Sequence, residues 1–245
     1  MPQSIEAILF DMGGTLRKNI KRDEITKARI TQQILSILKS DTSSLEFMTL
    51  LMGRSRAYEK WASECLIELN EVSYWTEWML PDWPKEMVAK NAMVFNQIWR
   101  DAICTRVMQP DAKATILGLY QKGYRLGLVS NTTSSVDSPI TLEKQGIARY
   151  LDVIILSCVF GKRKPSPLIL MEAAQKIGVI PGHCAYVGDR ADWDLVAARD
   201  AGFGKIVIIS DAGKPLSTPE FQQRNADVCI NNLIELLEIF PKRHK

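Results

Sequence analysis

The run Ile5-Glu6-Ala7-Ile8-Leu9-Phe10-Asp11-Met12-Gly13-Gly14-Thr15-Leu16 decides how the chain is read. A short apolar stretch that ends on an aspartate and a double glycine has the pattern of a buried strand running into a turn. Working outward, similar runs recur at Arg125–Ser130, Asp152–Cys158, Cys184–Asp189 and Lys205–Ser210, with a weaker one at Ala226–Ile230. Helix-like segments separate them: Asp111–Lys122, Pro139–Gln145, Ser166–Ile177, Asp192–Ala201 and Asn232–Ile239. Ser166-Pro167 supplies an N-cap and a first-turn proline; Leu168, Met171, Ala174 and Ile177 then form one apolar face before Gly178 stops the helix. Gly202 closes the next helix in the same way. Strands alternating with helices predict an α/β fold, a parallel sheet covered on both faces.

One interval breaks this rhythm. About 90 residues separate the first strand pattern from the second, too many for an unstructured loop. The interval reads as helical over Asp23–Lys39, Leu45–Leu69 and Lys85–Arg100, with Pro81–Pro84 as an inter-helix turn. Five of the six tryptophans (61, 75, 78, 83, 99) lie in it, and Trp193 is the sixth. Such residues more often pack helices together than line a substrate box, with one or two left for a site's mouth.

Composition bounds the function classes. The chain has 245 residues, 46% hydrophobic and 24% charged, with a mean hydropathy of −0.07. These are the values of a globular domain with a real core. No apolar run approaches the roughly 18 residues of a membrane span. The Met1-Pro2-Gln3-Ser4 start shows no basic, apolar leader pattern, so a cytoplasmic protein with no membrane partner is expected. The net charge of +3 rests on Lys242, Arg243 and Lys245; the remainder is neutral, which argues against nucleic acid as a partner. The five cysteines, at 65, 104, 158, 184 and 229, form no CxxC pair and read as reduced, mostly buried thiols. His183, on a loop, and His244, on the basic tail, are given no role, and the tail itself is expected to be solvated and frayed.

Open α/β sheets bind ligands beyond the C-terminal ends of their strands. The polar residues collected there are Asp11, Ser130 with Asn131, and Asp189 after Gly188, joined by Lys164 and Asp194 at helix starts. Several carboxylates sharing one crevice repel unless a cation lies among them, and an all-oxygen set with room for water suits Mg2+. The plain alternatives are structural. Asp11 can cap a turn, Asp189 or Asp194 can cap the helix that ends at Gly202, and Ser130 can be an ordinary strand end. Asp192 reads as a solvated first-turn residue. Lys162 and Arg163 compete with Lys164, whose place directly before Pro165 favours it.

Together these stretches resemble the haloacid dehalogenase-like (HAD) hydrolase superfamily. Asp11-Met12-Gly13-Gly14-Thr15-Leu16 resembles its first motif, Val129-Ser130-Asn131 its second, Lys164-Pro165 its third, and Gly188-Asp189-Arg190-Ala191-Asp192-Trp193-Asp194 its fourth. The resemblance implies a Rossmann-like, doubly wound parallel sheet of strand order 5-4-1-2-3 with an inserted α-helical cap. The core would then comprise residues 1–16 and 106–245, and the cap residues 17–105. It also implies a phosphatase acting on a small phosphorylated molecule, with Asp11 as the nucleophile that forms an aspartyl-phosphate. Mg2+ would be held by Asp11, the Gly13 carbonyl and Asp189, with Asp194 in support. Gly14, Ser130, Asn131 and Lys164 would hold the phosphoryl group, and Lys164 would also neutralise Asp11.

One position departs from that pattern. Phosphatases of the family carry a second aspartate two residues after the first, as acid and base; here the position is Gly13, which can do neither job. A positioned acid/base contributes about 10²–10⁴-fold. Phosphonate cleavage is one alternative, needing a Schiff-base lysine among Lys18, Lys21, Lys27, Lys39, Lys60, Lys85 and Lys90, none of which the sequence singles out. A phosphate-binding or regulatory protein without turnover is another. Dehalogenation fits poorly, because both acids of the fourth motif are present.

Overall fold

A computed structural model describes residues 4–210 and 226–243. Met1 to Gln3, His244 and Lys245 lie outside the described residues. The strands are β1 (Ala7–Phe10), β2 (Arg17–Lys21), β3 (Cys104–Met108), β4 (Arg125–Ser130), β5 (Val153–Leu156), β6 (Cys184–Gly188), β7 (Lys205–Ile209) and β8 (Val228–Ile230). Six of them form one parallel sheet in the order β5-β4-β1-β6-β7-β8. Five follow the expected order; the sixth, β8, extends the sheet past β7, so the five-strand expectation is one strand short. Its sequence pattern is the weakest of the six because β8 is a short edge strand with one fully buried residue, Ile230.

β1 is buried along its whole length because it is central, with helices on both faces. Its side chains alternate with period two. Ile8 and Phe10 join Leu126, Leu128 and Val187 on one face, while Ala7 and Leu9 join Val129, Tyr186 and Ile206 on the other. The helix Leu168–Ile177 buries Ile169, Leu170, Ala173, Ala174 and Ile177, and leaves Leu168 and Met171 about half exposed. The expected face is therefore rotated. Two apolar stripes compete on this helix, and the wider one turns to the sheet. Gly178 does close it, in the left-handed region at φ 68°.

The long interval folds around its own core. Helices Glu24–Leu38, Ser44–Cys65 and Lys85–Ile103, with a π-helical turn at Tyr74–Met79, enclose Phe47, Tyr58, Trp75 and Phe95. Trp61, Trp78 and Trp83 pack against that cluster, as helix-packing residues should. The helical pattern to Leu69 stops early, because Leu66 is left-handed at φ 55° and ends the helix. The antiparallel pair β2–β3, with Arg17 opposite Met108, was not expected. Only the first residue of β2 is buried, so it carries no apolar strand signal. This ribbon ties the two ends of the helical segment together where it leaves the sheet.

Cys158 and Cys184 are buried, but Cys65 and Cys229 are exposed, against the expectation of mostly buried thiols; all five are unpaired. Cys229 points outward on edge strand β8, where alternate residues face solvent. The tail residue Arg243 is not frayed: it pairs with Glu6 at 3.1 Å, and its backbone N–H donates to the Lys122 carbonyl. Among the described residues, no helix is long and apolar enough to cross a membrane.

Candidate active site

Strand register brings the candidate residues together. Phe10 pairs with Leu128 on one side and Val187 on the other. Asp11 therefore stands level with the ends of β4 and β6, where Ser130, Asn131 and Asp189 emerge. The sequence could only collect these strand ends; parallel pairing makes them neighbours.

Lys164 organises the cluster. The residue is 1% exposed, and its Nζ has four acceptors within hydrogen-bond reach for its three N–H groups: Asp11 Oδ1 at 2.6 Å, Asp194 Oδ1 at 2.6 Å, the Tyr186 hydroxyl at 2.7 Å and the Val129 carbonyl at 3.2 Å. Burial disfavours the ammonium, but Asp11 and Asp194 outweigh it and hold the pKa above the ordinary lysine value. Asn131 fixes the backbone of this lysine. Its Nδ2 donates to the Lys164 carbonyl and its Oδ1 accepts from the Lys164 N–H, each at 2.9 Å. Arg163, one residue earlier, points elsewhere: it pairs with Glu59 and lies over the Trp193 ring.

The three carboxylates differ in how well they are satisfied. Asp194 accepts from Lys164 and Tyr186 on Oδ1, and from the N–H groups of Asp189 and Arg190 on Oδ2. The π-helical turn Ala191–Leu195 aims it back at the strand end. Asp189 is the opposite case, with a buried Oδ1 that has no partner. Burial, then the charges of Asp11 and Asp194, push its pKa up to about 8. Asp11 is raised to about 6, chiefly by burial, with Lys164 pulling it down. One oxygen from each of Asp11, Asp189 and Asp194 lies within 4.8 Å of the others. Buried carboxylates that close, one with an orphaned oxygen, fit a divalent cation. Asp192 instead forms a surface pair with Arg190 at 2.9 Å.

Two glycines make room for these acids. A Cβ on Gly14, which sits at φ 93°, would fall 2.1 Å from Asp189 Oδ2, and one on Gly188 would fall 2.4 Å from Asp194 Oδ2. Gly13 is different. A Cβ there would meet only Asn19 Nδ2, at 3.5 Å, so the backbone tolerates a side chain where this sequence has none.

Two cavities meet at this point. One contains Asp11, Gly14, Lys164 and Asp189; the other, of about 310 Å3, runs between the sheet ends and the helical segment past Ser130 and Trp99. Gly13, Asn19, Asn131 and Trp193 line both. The sequence reading missed Tyr186, Asn19, Trp193 and the arginines of the second cavity. Tyr186 carried a faint signal, as the one hydroxyl inside an apolar strand. His183 bonds to Glu6 at 2.8 Å and serves the fold.

Comparison with known proteins identifies the family. The family model described as haloacid dehalogenase-like hydrolase matches residues 5–202. A phosphoglycolate phosphatase of Vibrio parahaemolyticus is 25% identical over 244 residues, covering 97% of this chain and 96% of that protein. A glyceraldehyde 3-phosphate phosphatase of Methanopyrus kandleri is 37% identical over 93 residues, 38% of this chain and 40% of that protein. Among solved structures, a HAD phosphatase from Thermococcus onnurineus shares the fold at a TM-score of 0.64 and 23% identity, over 98% of this chain and 100% of that one. A 2-haloacid dehalogenase from Pseudomonas syringae pv. tomato does so at 0.66 and 19%, over 96% and 97%. Matched across most of its length by the family model, and carrying the four motifs around one crevice, this chain is a hydrolase of the haloacid dehalogenase-like family.

Proposed function

We propose that the protein is a divalent-cation-dependent phosphatase of small phosphorylated metabolites, with Asp11 as nucleophile and residues 17–105 as a cap over the site. The observation that carries this reading is the buried Lys164 clamp between Asp11 and Asp194, beside the unpartnered Asp189 Oδ1. The names of the relatives support a phosphorylated substrate. The unpaired cysteines support a reducing compartment, hence the cytoplasm.

Lys164 holds Asp11 Oδ1, which leaves Oδ2 to attack phosphorus. The Oδ2–P bond forms as the ester P–O bond breaks, and water then hydrolyses the aspartyl-phosphate to free phosphate and the original carboxylate. Asp11, Asp189 and the Gly13 carbonyl would hold Mg2+, with Asp194 fixing Lys164 and the Asp189 backbone. When bound, the cation supplies the positive charge that lets a carboxylate approach a phosphate dianion. Ser130, buried at the end of β4, would orient the phosphoryl oxygens, while Asn131 keeps Lys164 in register; the Gly14 N–H, expected to share that task, already donates to the Arg17 carbonyl. No acid stands at residue 13, so the leaving oxygen takes its proton from water or from the substrate.

Phosphate release from a panel of phosphomonoesters with Mg2+, run on wild type and Asp11→Asn together, tests this. Release that needs Mg2+ and is lost in the variant is expected; release that survives in Asp11→Asn refutes the nucleophile. A second reading, phosphonate cleavage, gains one observation: Lys18, on β2, lines the Asp11 cavity. Borohydride trapping with a phosphonoaldehyde should leave no adduct on Lys18 if the phosphatase reading holds.

A further inference from the structure

The cavity beside Asp11 has a guanidinium wall that the proposed phosphoryl chemistry does not use. Gly13, Ser130 and Asn131 line it at the phosphoryl end, and Arg17, Arg100 and Arg106 line it elsewhere. Arg17 opens β2, Arg106 lies in β3, and Arg100 is in the last turn of the helix Lys85–Ile103. All three converge on Asp137, which accepts from Arg17 Nη1 at 2.6 Å and Arg100 Nη2 at 2.8 Å and forms an ion pair with Arg106 Nε at 3.2 Å. Asp137 does not line this cavity. It faces the neighbouring groove, so it anchors the guanidiniums from behind.

The three arginines are not equivalent. Arg106 is used up, its other two nitrogens donating to the Arg100 carbonyl and to Asp101. Arg17 and Arg100 each keep a buried Nε with no partner, and Arg17 is 4% exposed. Three guanidiniums here face two carboxylates, Asp137 and Asp101, and a ligand anion would balance the charge left over. The opposite wall competes less: Arg163 also keeps a buried Nε without a partner, but its single charge is met by two carboxylates, Glu59 and Glu68. Arg17 is also rooted in the nucleophile's own loop: its N–H donates to the Met12 carbonyl at 3.0 Å and its carbonyl accepts from Gly14 at 2.8 Å. An anion held there would sit a short linker away from a phosphoryl group at Asp11. At about 310 Å3 the cavity is at the small end of the roughly 300–1,000 Å3 range of ligand pockets, which suits a compact second group.

We propose that Arg17 and Arg100 form a second anion subsite that receives a carboxylate carried by the substrate, so that the preferred substrates are small phosphorylated carboxylic acids rather than neutral phosphomonoesters. The inference rests on the phosphatase reading, because it needs a phosphoryl group at the Asp11 end. A planar carboxylate matches the fork of a guanidinium, and such pairs are both strong and directional.

The test is calorimetric titration of the full-length protein, with Mg2+, against two stable probes of similar shape. Phosphonoacetate carries a carboxylate; 2-oxopropylphosphonate carries a neutral ketone in its place. Wild type should bind phosphonoacetate about 10–100-fold more tightly. In Arg17→Gln and in Arg100→Gln that preference should fall below about threefold, and Arg17→Lys should retain an intermediate preference. Equal affinity of wild type for the two probes overturns the subsite and leaves the phosphoryl reading standing. Binding of neither overturns the phosphoryl reading itself. A wild-type preference that persists in both glutamine variants overturns the assignment to these arginines. Methylenebisphosphonate binding more tightly than phosphonoacetate overturns the carboxylate in favour of a second phosphoryl group. The wild-type comparison needs no variant, so a variant that fails to fold does not remove the test.

Discussion

Replacing Lys164 with methionine tests the electrostatics on which the site depends. The side chain keeps its length and much of its volume, so little cavity forms, and the change is chiefly the loss of a buried ammonium. The two carboxylates it holds are almost as buried as the lysine, with side-chain exposures of 9% for Asp11 and 1% for Asp194. Their nearest ligand oxygens lie within 4.8 Å. At an effective dielectric of about 20, two such charges repel by about 3.5 kcal/mol. This agrees with the roughly 3–5 kcal/mol usually lost when one partner of a buried pair is removed.

For a chain of this length about 2–4 °C of melting temperature goes with each kcal/mol, so Lys164→Met should melt about 7–14 °C below wild type at pH 8.5 without divalent cations. The loss should shrink on acidification. In wild type the lysine's folded pKa is raised, so its contribution is fully present below the free-lysine value near 10.4 and is constant between pH 5.5 and 8.5. In the variant the carboxylates face each other alone, and protonating one of them ends the repulsion. Asp11 already titrates at about 6 with the lysine present, so by pH 5.5 most of the deficit should have gone. Melts followed by circular dichroism at pH 5.5, 7.0 and 8.5 read this directly. A variant within about 2 °C of wild type at pH 8.5, or a deficit equal at all three pH values, would refute the reasoning.

Three further outcomes are expected. Since Gly13 supplies no acid, wild-type turnover should rise steeply with the acidity of the leaving alcohol, so that aryl phosphates far outpace alkyl ones. Gly13→Asp, for which the backbone has room, should flatten that dependence and raise alkyl turnover by about 10²-fold or more; an unchanged slope in leaving-group plots would exclude a missing acid as the limit. Asp189, raised to about 8 mainly by burial, lets the cation-free fold hold a proton that the unfolded chain releases near pH 3.9. Stability without cations should therefore fall as pH rises through that window, and the melting-temperature gain from Mg2+ should grow between pH 5.5 and 8.5; a gain independent of pH would count against Asp189 as a ligand. Gly14→Ala adds a methyl 2.1 Å from Asp189 Oδ2 at a φ of 93°, and should abolish most Mg2+-induced stabilisation, as thermal melts with and without the cation would show.

Much of the fold is legible in the residues. Continuous apolar runs such as Ala7–Phe10 mark strands buried on both faces, because such strands need no polar side. The helical segment announces itself by its length and its tryptophans. The β2–β3 ribbon does not, because four of the five residues of β2 face solvent and its stability comes from pairing with a partner more than 80 residues away. The rotated face of Leu168–Ile177 is similar: both stripes are apolar in sequence, and only the neighbouring sheet chooses between them.

For the site, the sequence by itself determined which residue types stand at the strand ends. It supplied the aspartates at strand ends, the lysine before Pro165 and the glycine at residue 13, all of which are local in the chain; that Gly14 and Gly188 leave space beside carboxylates shows only in the folded chain. What tertiary structure decided is how those groups are charged and partnered. Lys164 touches Asp11 across 153 positions of sequence, and Arg17 reaches Asp137 across 120. Such contacts follow from the parallel register of β4, β1 and β6 and from the ribbon that brings Arg17 and Arg106 to one carboxylate. Burial then turns ordinary side chains into a clamped lysine, two raised aspartates and three guanidiniums with an unpartnered Nε, since the cost of an unpaired charge depends on the dielectric around it and not on its neighbours in the chain.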